Sequence, residues 1–295
     1  MDDFLVRSVL LGVLLPAVVS GVITLLGRRT LGTWASTLGI GLGFIAGYIG
    51  VQGLPSIPLT VTELLPIVAG VALIWVWFER FWHSTGWLTW LLRLLPLAAL
   101  GIFLRQRLFI GQITSRFGAW TPSETAFNIA IPLIAVALLW IFIAVNGETT
   151  SSSAEADADT SSKRHTAILP TALVLLCTGS AVSLVAAGSA IMAQLVGVLT
   201  AAVGAVMVLA WFWPGAYLGA SSAAVIALVL GSAVALGGFF AATLPWYAAI
   251  LLALTPALLL ITKRSQLALI PRAALSLALV AAPVIASIII AIQTH

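Results

Sequence analysis

The chain has 295 residues, of which 61% are hydrophobic and only 7% are Asp, Glu, Lys or Arg; 13 basic side chains against 9 acidic ones give a formal charge of +4. Soluble domains carry about 25% charged residues, so a water-soluble globular fold is excluded. The basic residues stand in ones and twos between apolar stretches, which is not the continuous basic patch of a nucleic-acid surface. The single Cys177 excludes an intramolecular disulfide and a cysteine-based metal cluster.

Apolar stretches recur from Phe4 to Ile292, each long enough to cross a hydrocarbon core of about 30 Å as a helix. They predict an all-α, polytopic membrane protein with about ten transmembrane helices, at residues 5–26, 33–52, 61–79, 87–104, 122–145, 167–186, 190–212, 218–240, 246–262 and 271–292. The first span follows acidic Asp2 and Asp3 and precedes Arg28 and Arg29. That is the reverse of a secretory signal, so the span is expected to be retained. The second carries Gly39, Gly43 and Gly47 at spacing four, a stripe that lets helix backbones approach closely in lipid.

The third span opens with Glu63 three residues after Thr60, and the fifth with Glu124 three residues after Thr121, with Pro122 between. Both read as capping boxes and not as proton carriers. Eight of the eleven tryptophans precede residue 146, and Trp75, Trp77, Trp82, Trp87 and Trp90 flank the link between the third and fourth spans, as in a headgroup belt. Arg93 is the deepest basic residue. Its stem is expected to snorkel to the headgroups, the alternative being an inward anion-binding role beside Pro96. Glu79 and Arg80 read as an interfacial pair. Residues 105–120, with Phe109, Ile113, Phe117 and Trp120 near helical spacing, suit an amphipathic segment in the outer interface.

Residues 146–165 form a Ser/Thr and Ala/Asp low-complexity stretch ending in Lys163, Arg164 and His165, and are expected to be a flexible cytoplasmic linker. It divides the chain into a first half (1–145) and a second half (166–295), the latter rich in Ala, Gly and Val. Five spans per half imply opposite orientations, so the halves are expected to form a five-plus-five inverted repeat. Prolines stand at matching places: Pro96 and Pro256 in the fourth and ninth spans, Pro132 and Pro283 in the fifth and tenth. Matched helix breaks mark midplane sites in inverted-repeat carriers, so Arg93, Pro96, Asn128, Pro132, Thr255, Pro256 and Pro283 are the candidate substrate-binding residues. For the uncharged Asn128, Gln194 and Thr255 the favoured role is bonding between helices.

The sixth span carries a second small-residue stripe, Gly179, Ser183 and Ala187, and residues 167–212 read either as two spans or as one re-entrant element. Both stripes are packing seams first and an oligomer interface second. Arg28, Arg29, Arg80, Arg93, Lys163, Arg164, Lys263, Arg264 and Arg272 collect on one face of a ten-span chain, which is then cytoplasmic with both termini outside. The expected location is a bacterial-type plasma (inner) membrane, with lipid as the obligatory partner and homo- or hetero-oligomers within the membrane allowed.

No His or Asp falls in any span, and no Gly-x-x-x-x-Gly-Lys loop occurs. Ser221, two residues after Gly219, has no intramembrane base. No catalytic residue, metal ligand or cofactor is therefore expected. Two functional readings remain. One is a secondary transporter or permease for a small neutral or amphiphilic solute. The other is a non-catalytic scaffold packing on partner membrane proteins through its glycine stripes and the exposed interfacial segment.

Overall fold

The computed structural model describes residues 9–55, 62–81, 93, 95–101, 122–156, 167–213, 218–241, 244–263 and 269–294. The described residues form helices and no strand. In chain order these are α1 (Leu10–Leu31), α2 (Thr33–Gln52), α3 (Leu64–Phe81), α4 (95–101, with Arg93 also helical), α5 (Pro122–Ala156), α6 (Ile168–Ala186), α7 (Ala190–Phe212), α8 (Ser222–Ala241), α9 (Trp246–Lys263) and α10 (Leu269–Gln293). Six of them are long and apolar enough to cross a membrane: α1, α2, α5 over Ile129–Gly147, α6, α7 and α10. This is the construction of an integral membrane protein.

Large apolar side chains cover the outside of the bundle. Val18 and Leu26 on α1, Ile74 and Phe78 on α3, and Ile285 and Ile292 on α10 are each more than half exposed. A surface of that kind is a liability in water and the natural face toward lipid. Helix α8 is the opposite case. From Ser222 to Gly237 every side chain is buried except Gly231, which is half-buried, because α8 is apolar all round and is surrounded by α2, α3, α5, α6, α7 and α9.

Local chemistry sets the ends. Leu10–Leu14 is one π-helical turn ahead of Pro16, a widening that accommodates a residue with no amide to give the preceding turn. Helix α1 runs to Leu31, about five residues beyond the expected span, so Arg28 and Arg29 belong to its last turn and not to a loop. Basic side chains suit that end of a helix dipole. The α6–α7 region is two helices. Gly188 takes φ 76°, Ser189 N–H donates to Leu184 O at 2.8 Å and Gly188 N–H to Val185 O at 2.9 Å. This is the Schellman turn that closes a helix on a left-handed residue, and each of the two helices is long and apolar enough to cross a membrane.

The expected linker is shorter than its composition implied. Helix α5 continues through Ala156, and Asn146, placed by the sequence reading at the start of a flexible segment, is a buried side chain 3% exposed. Residues 157–165 lie outside the described residues, as do the interfacial segment 105–120 and both cap residues Thr60 and Thr121. Glu63 sits in the turn before α3 and not within its first turn.

Candidate functional site

Most hydroxyl groups in the described spans are handled in two ways, while those of Thr24 and Ser232 are buried without a hydrogen-bond partner among the described residues. Thr171, Thr178, Ser180, Thr200, Thr255 and Ser276 each donate to the carbonyl four residues earlier, at 2.7 to 2.9 Å, which satisfies them inside their own helix. A smaller set joins helices. Ser20 Oγ donates to Ala202 O at 2.8 Å, tying α1 to α7, and Ser183 and Ser287 pair at 3.2 Å between α6 and α10. Thr255 belongs to the first class, bonding Leu251 O, so its expected role as an interhelical bond is corrected.

The densest polar cluster lies where α2 and α8 begin. Thr37 Oγ1 stands 2.8 Å from Ser221 Oγ and 3.0 Å from Ser222 Oγ, with Ser36 Oγ 3.5 Å from Ser222 Oγ. Ser36, Thr37 and Ser222 are buried. Beside it Gly147 of α5 lies so close to the turn before α8 that a Cβ there would meet Ala220 N at 2.8 Å. One residue earlier, Asn146 Nδ2 donates to Phe142 O at 2.7 Å and across to Pro256 O of α9 at 3.1 Å. Ser221 is thus part of a hydroxyl chain that locks this end of the bundle.

Arg93 is held inside the protein. Its Nε and Nη2 donate to Glu79 Oε1 at 2.9 and 2.6 Å, and the residue is 8% exposed. Snorkelling to headgroups is therefore corrected. A carboxylate was within reach on the adjoining helix, and pairing offsets the cost of burying a guanidinium. Glu79 takes this partner; the Arg80 side chain lies outside the described residues.

Two apolar cavities flank α8. The larger, about 170 Å³, lies between α3, α4 and α8 and is lined by Leu64, Val68, Val71, Pro96, Leu100 and Leu228 among others. The smaller, about 30 Å³, lies between α5, α6, α8 and α9 and includes Pro132, Ser180, Gly231 and Ala253 in its wall. The candidate residues are accordingly not gathered into one site. Pro96 belongs to the larger cavity and Pro132 to the smaller; the carbonyl of Pro256 receives Asn146. Pro283 is half-buried on α10, and the Asn128 side chain lies outside the described residues. The sequence reading missed Ser36, Thr37, Ser222 and Asn146. A serine-rich helix start was visible, but its partner α2 was not.

Both glycine stripes face helices of the same chain. A Cβ on Gly39 would meet Thr24 Oγ1 at 2.5 Å, on Gly43 Pro16 O at 2.7 Å, and on Gly47 Val198 Cγ1 at 2.5 Å. On α6, a Cβ on Gly179 would overlap Val284 of α10, one turn from the Ser183–Ser287 pair. Ala187 is buried at the α6–α7 turn. No protein-family model matches this chain, and neither does any curated protein or solved structure.

Proposed function

We propose that the protein is a secondary transporter or permease for a small neutral or amphiphilic solute, with its pathway beside α8. The observation that carries this reading is the pair of largely apolar cavities that both abut one buried helix, α8, each walled by a helix bearing an internal proline. Cavities of this lining favour apolar guests and disfavour ions. The scaffold reading draws on the glycine stripes and on the interfacial segment 105–120; the stripes are filled by α1, α7 and α10, and 105–120 lies outside the described residues.

Ten crossings are part of the proposal. Helices α3, α8 and α9 have 18, 20 and 18 residues, which at 1.5 Å per residue is about 27 to 30 Å. Contacts made at two heights support alternate threading. Pro16 and Val198 meet at Gly47, and Ser20 bonds Ala202 one turn on, which makes α1 and α7 parallel, and Gly179–Val284 with Ser183–Ser287 make α6 and α10 parallel. Gly147–Ala220 and Gly231–Val136 make α5 and α8 antiparallel; Tyr48–Thr62 and Gly41–Leu73 do the same for α2 and α3. Each of these four pairs fits a threading in which odd-numbered helices run one way and even-numbered ones the other. The five-plus-five repeat draws support from the α2–α7 and α3–α8 packings, in which corresponding helices of the two halves touch each other.

The test is solvent access in a Cys177→Ala background. Ser180 and Thr255 are 0% and 1% exposed, so neither position is reachable in this conformation. With Ser180→Cys and Thr255→Cys in sealed vesicles, a carrier that rearranges exposes them to a membrane-impermeant thiol reagent from one face. Uniform inertness of both positions would contradict transport.

A further inference from the structure

We propose that Thr62, Glu63 and Ser232 form a binding site for a sodium ion, at the end of α2 and α8 opposite the hydroxyl cluster. The inference deepens the transport reading by naming its coupling ion, and rests on that reading only for what binding does to the carrier.

Helical register brings these residues together. Helices α2 and α8 touch each other, and both begin at the hydroxyl cluster, where Thr37 Oγ1 stands 2.8 Å from Ser221 Oγ. They therefore run side by side in the same direction. Tyr48 lies eleven residues beyond Thr37, and Ser232 eleven beyond Ser221. Eleven residues are about 17 Å of rise and three turns plus about 20°, so Tyr48 and Ser232 face each other again at the far end. Helix α3 reaches that level from the other direction. Leu228 shares a cavity with Leu64, Val68 and Val71; one turn onward in α8 is Ser232, and one turn back along α3 is the turn that holds Thr62 and Glu63. There Tyr48 hydrogen-bonds Thr62 and feels the charge of Glu63.

Ser232 is the residue that points to a ligand. It is 1% exposed, and its Oγ has no hydrogen-bond partner among the described residues. Ser180, Thr200, Thr255 and Ser276 return theirs to the preceding turn of their own helix. A buried hydroxyl is costly to leave unsatisfied. The donors gathered around it are all oxygens, the set that suits a hard cation. One carboxylate among neutral hydroxyls matches a single positive charge, and among the described residues no group of three His, Cys, Asp or Glu exists that would hold a more highly charged metal ion. Tyr48 lies one turn before the end of α2, whose last carbonyls form the negative pole of the helix dipole. Helix C-terminal ends hold sodium in the same way in inverted-repeat carriers. Thr62 and Glu63 are half-buried, and in the proposed threading their end faces outside, so the ion loads from that side.

Thermal unfolding of the purified full chain in detergent, in sodium chloride and in choline chloride at equal ionic strength, tests the site. Sodium is expected to raise the melting temperature saturably, as a ligand of the folded state does, and choline is not. Ser232→Ala and Glu63→Gln are each expected to need at least about tenfold more sodium for the half-maximal rise, the loss of one contact to a charge. Ser232→Ala is expected to keep its sodium-free melting temperature, because its Oγ bonds nothing among the described residues; this separates a lost ligand from a lost packing contact. Saturable binding of radioactive sodium to the wild-type and Ser232→Ala proteins carries the same test should Glu63→Gln not fold. A rise equal in both salts, or one with the same midpoint in the variants as in the wild type, overturns the site. A sodium-dependent rise with Ser180→Cys and Thr255→Cys inert in either salt supports the site and contradicts transport. Reactive cysteines with no sodium-dependent rise support a carrier and overturn the site.

Discussion

Gly43 shows how closely single residues set this bundle. Its backbone lies against α1 so tightly that a methyl group would come within 2.7 Å of Pro16 O and 3.0 Å of Ser20 Cβ, and a backbone carbonyl cannot swing aside as a side chain can. Gly43→Ala is expected to cost about 1 to 3 kcal/mol by overpacking, read as a lower melting temperature in detergent. Gly70→Ala is the control. Nothing lies within 4 Å of a Cβ there, and Ala in place of a mid-helix Gly should gain about 0.5 to 1 kcal/mol. Asn146→Leu should lower stability by about 1 kcal/mol through loss of the bond to Pro256 O, within the range of interhelical hydrogen bonds in membranes. The glycine stripe could be seen in the sequence because spacing four is a property of one helix. Its filling by Pro16, Ser20 and Thr24 could not, since that depends on how two helices meet. Asn146 was obscured differently. Composition after it resembles a linker, while the carbonyl that makes it structural lies 110 residues away.

At the scale of elements, α2 and α7 coincide with the stretches expected from hydropathy, because both begin and end at abrupt changes of polarity. Helix α1 does not. An apolar window ends at the first arginine, whereas a helix carries basic residues through its last turn. The α3–α4 hairpin is the element whose energetics differ most from expectation. Arg93 and Glu79 have side chains 9% and 16% exposed, so removing one charge leaves the other buried. Arg93→Met is expected to destabilise the protein by about 3 kcal/mol, and Glu79→Leu combined with Arg93→Met to recover most of the loss. Thermal unfolding of the two variants decides it. If the double variant is as unstable as the single one, the pair holds the hairpin by something other than charge matching. Sequence alone placed both residues near one interface but paired Glu79 with its neighbour Arg80, because contact across a hairpin is invisible in a linear spacing.

At the scale of the whole molecule, the sequence made legible what lipid dictates: apolar length, scarcity of charge, helices throughout. It left illegible what packing dictates. Helix α8 looks like any other Ala-rich span in the chain, yet it is the one enclosed by six neighbours. The matched prolines suggested one midplane site, but Pro96 and Pro132 stand in separate cavities that each abut α8. The hydroxyl cluster of Ser36, Thr37, Ser221 and Ser222 lies where α1 gives way to α2 and where α8 starts. In the proposed ten-span threading this is the same end as Arg28, Arg29 and the Arg93–Glu79 pair, the face proposed as cytoplasmic from its basic residues. All of it depends on the threading, so the most direct measurement is the sidedness of the two termini. Reporters fused to residues 1 and 295, one active only in the cytoplasm and one only outside it, should both report from outside, with a reporter placed within 157–165 reporting from the cytoplasm. Termini on opposite sides would contradict ten alternating crossings and the placement of the cation site and the hydroxyl cluster with them.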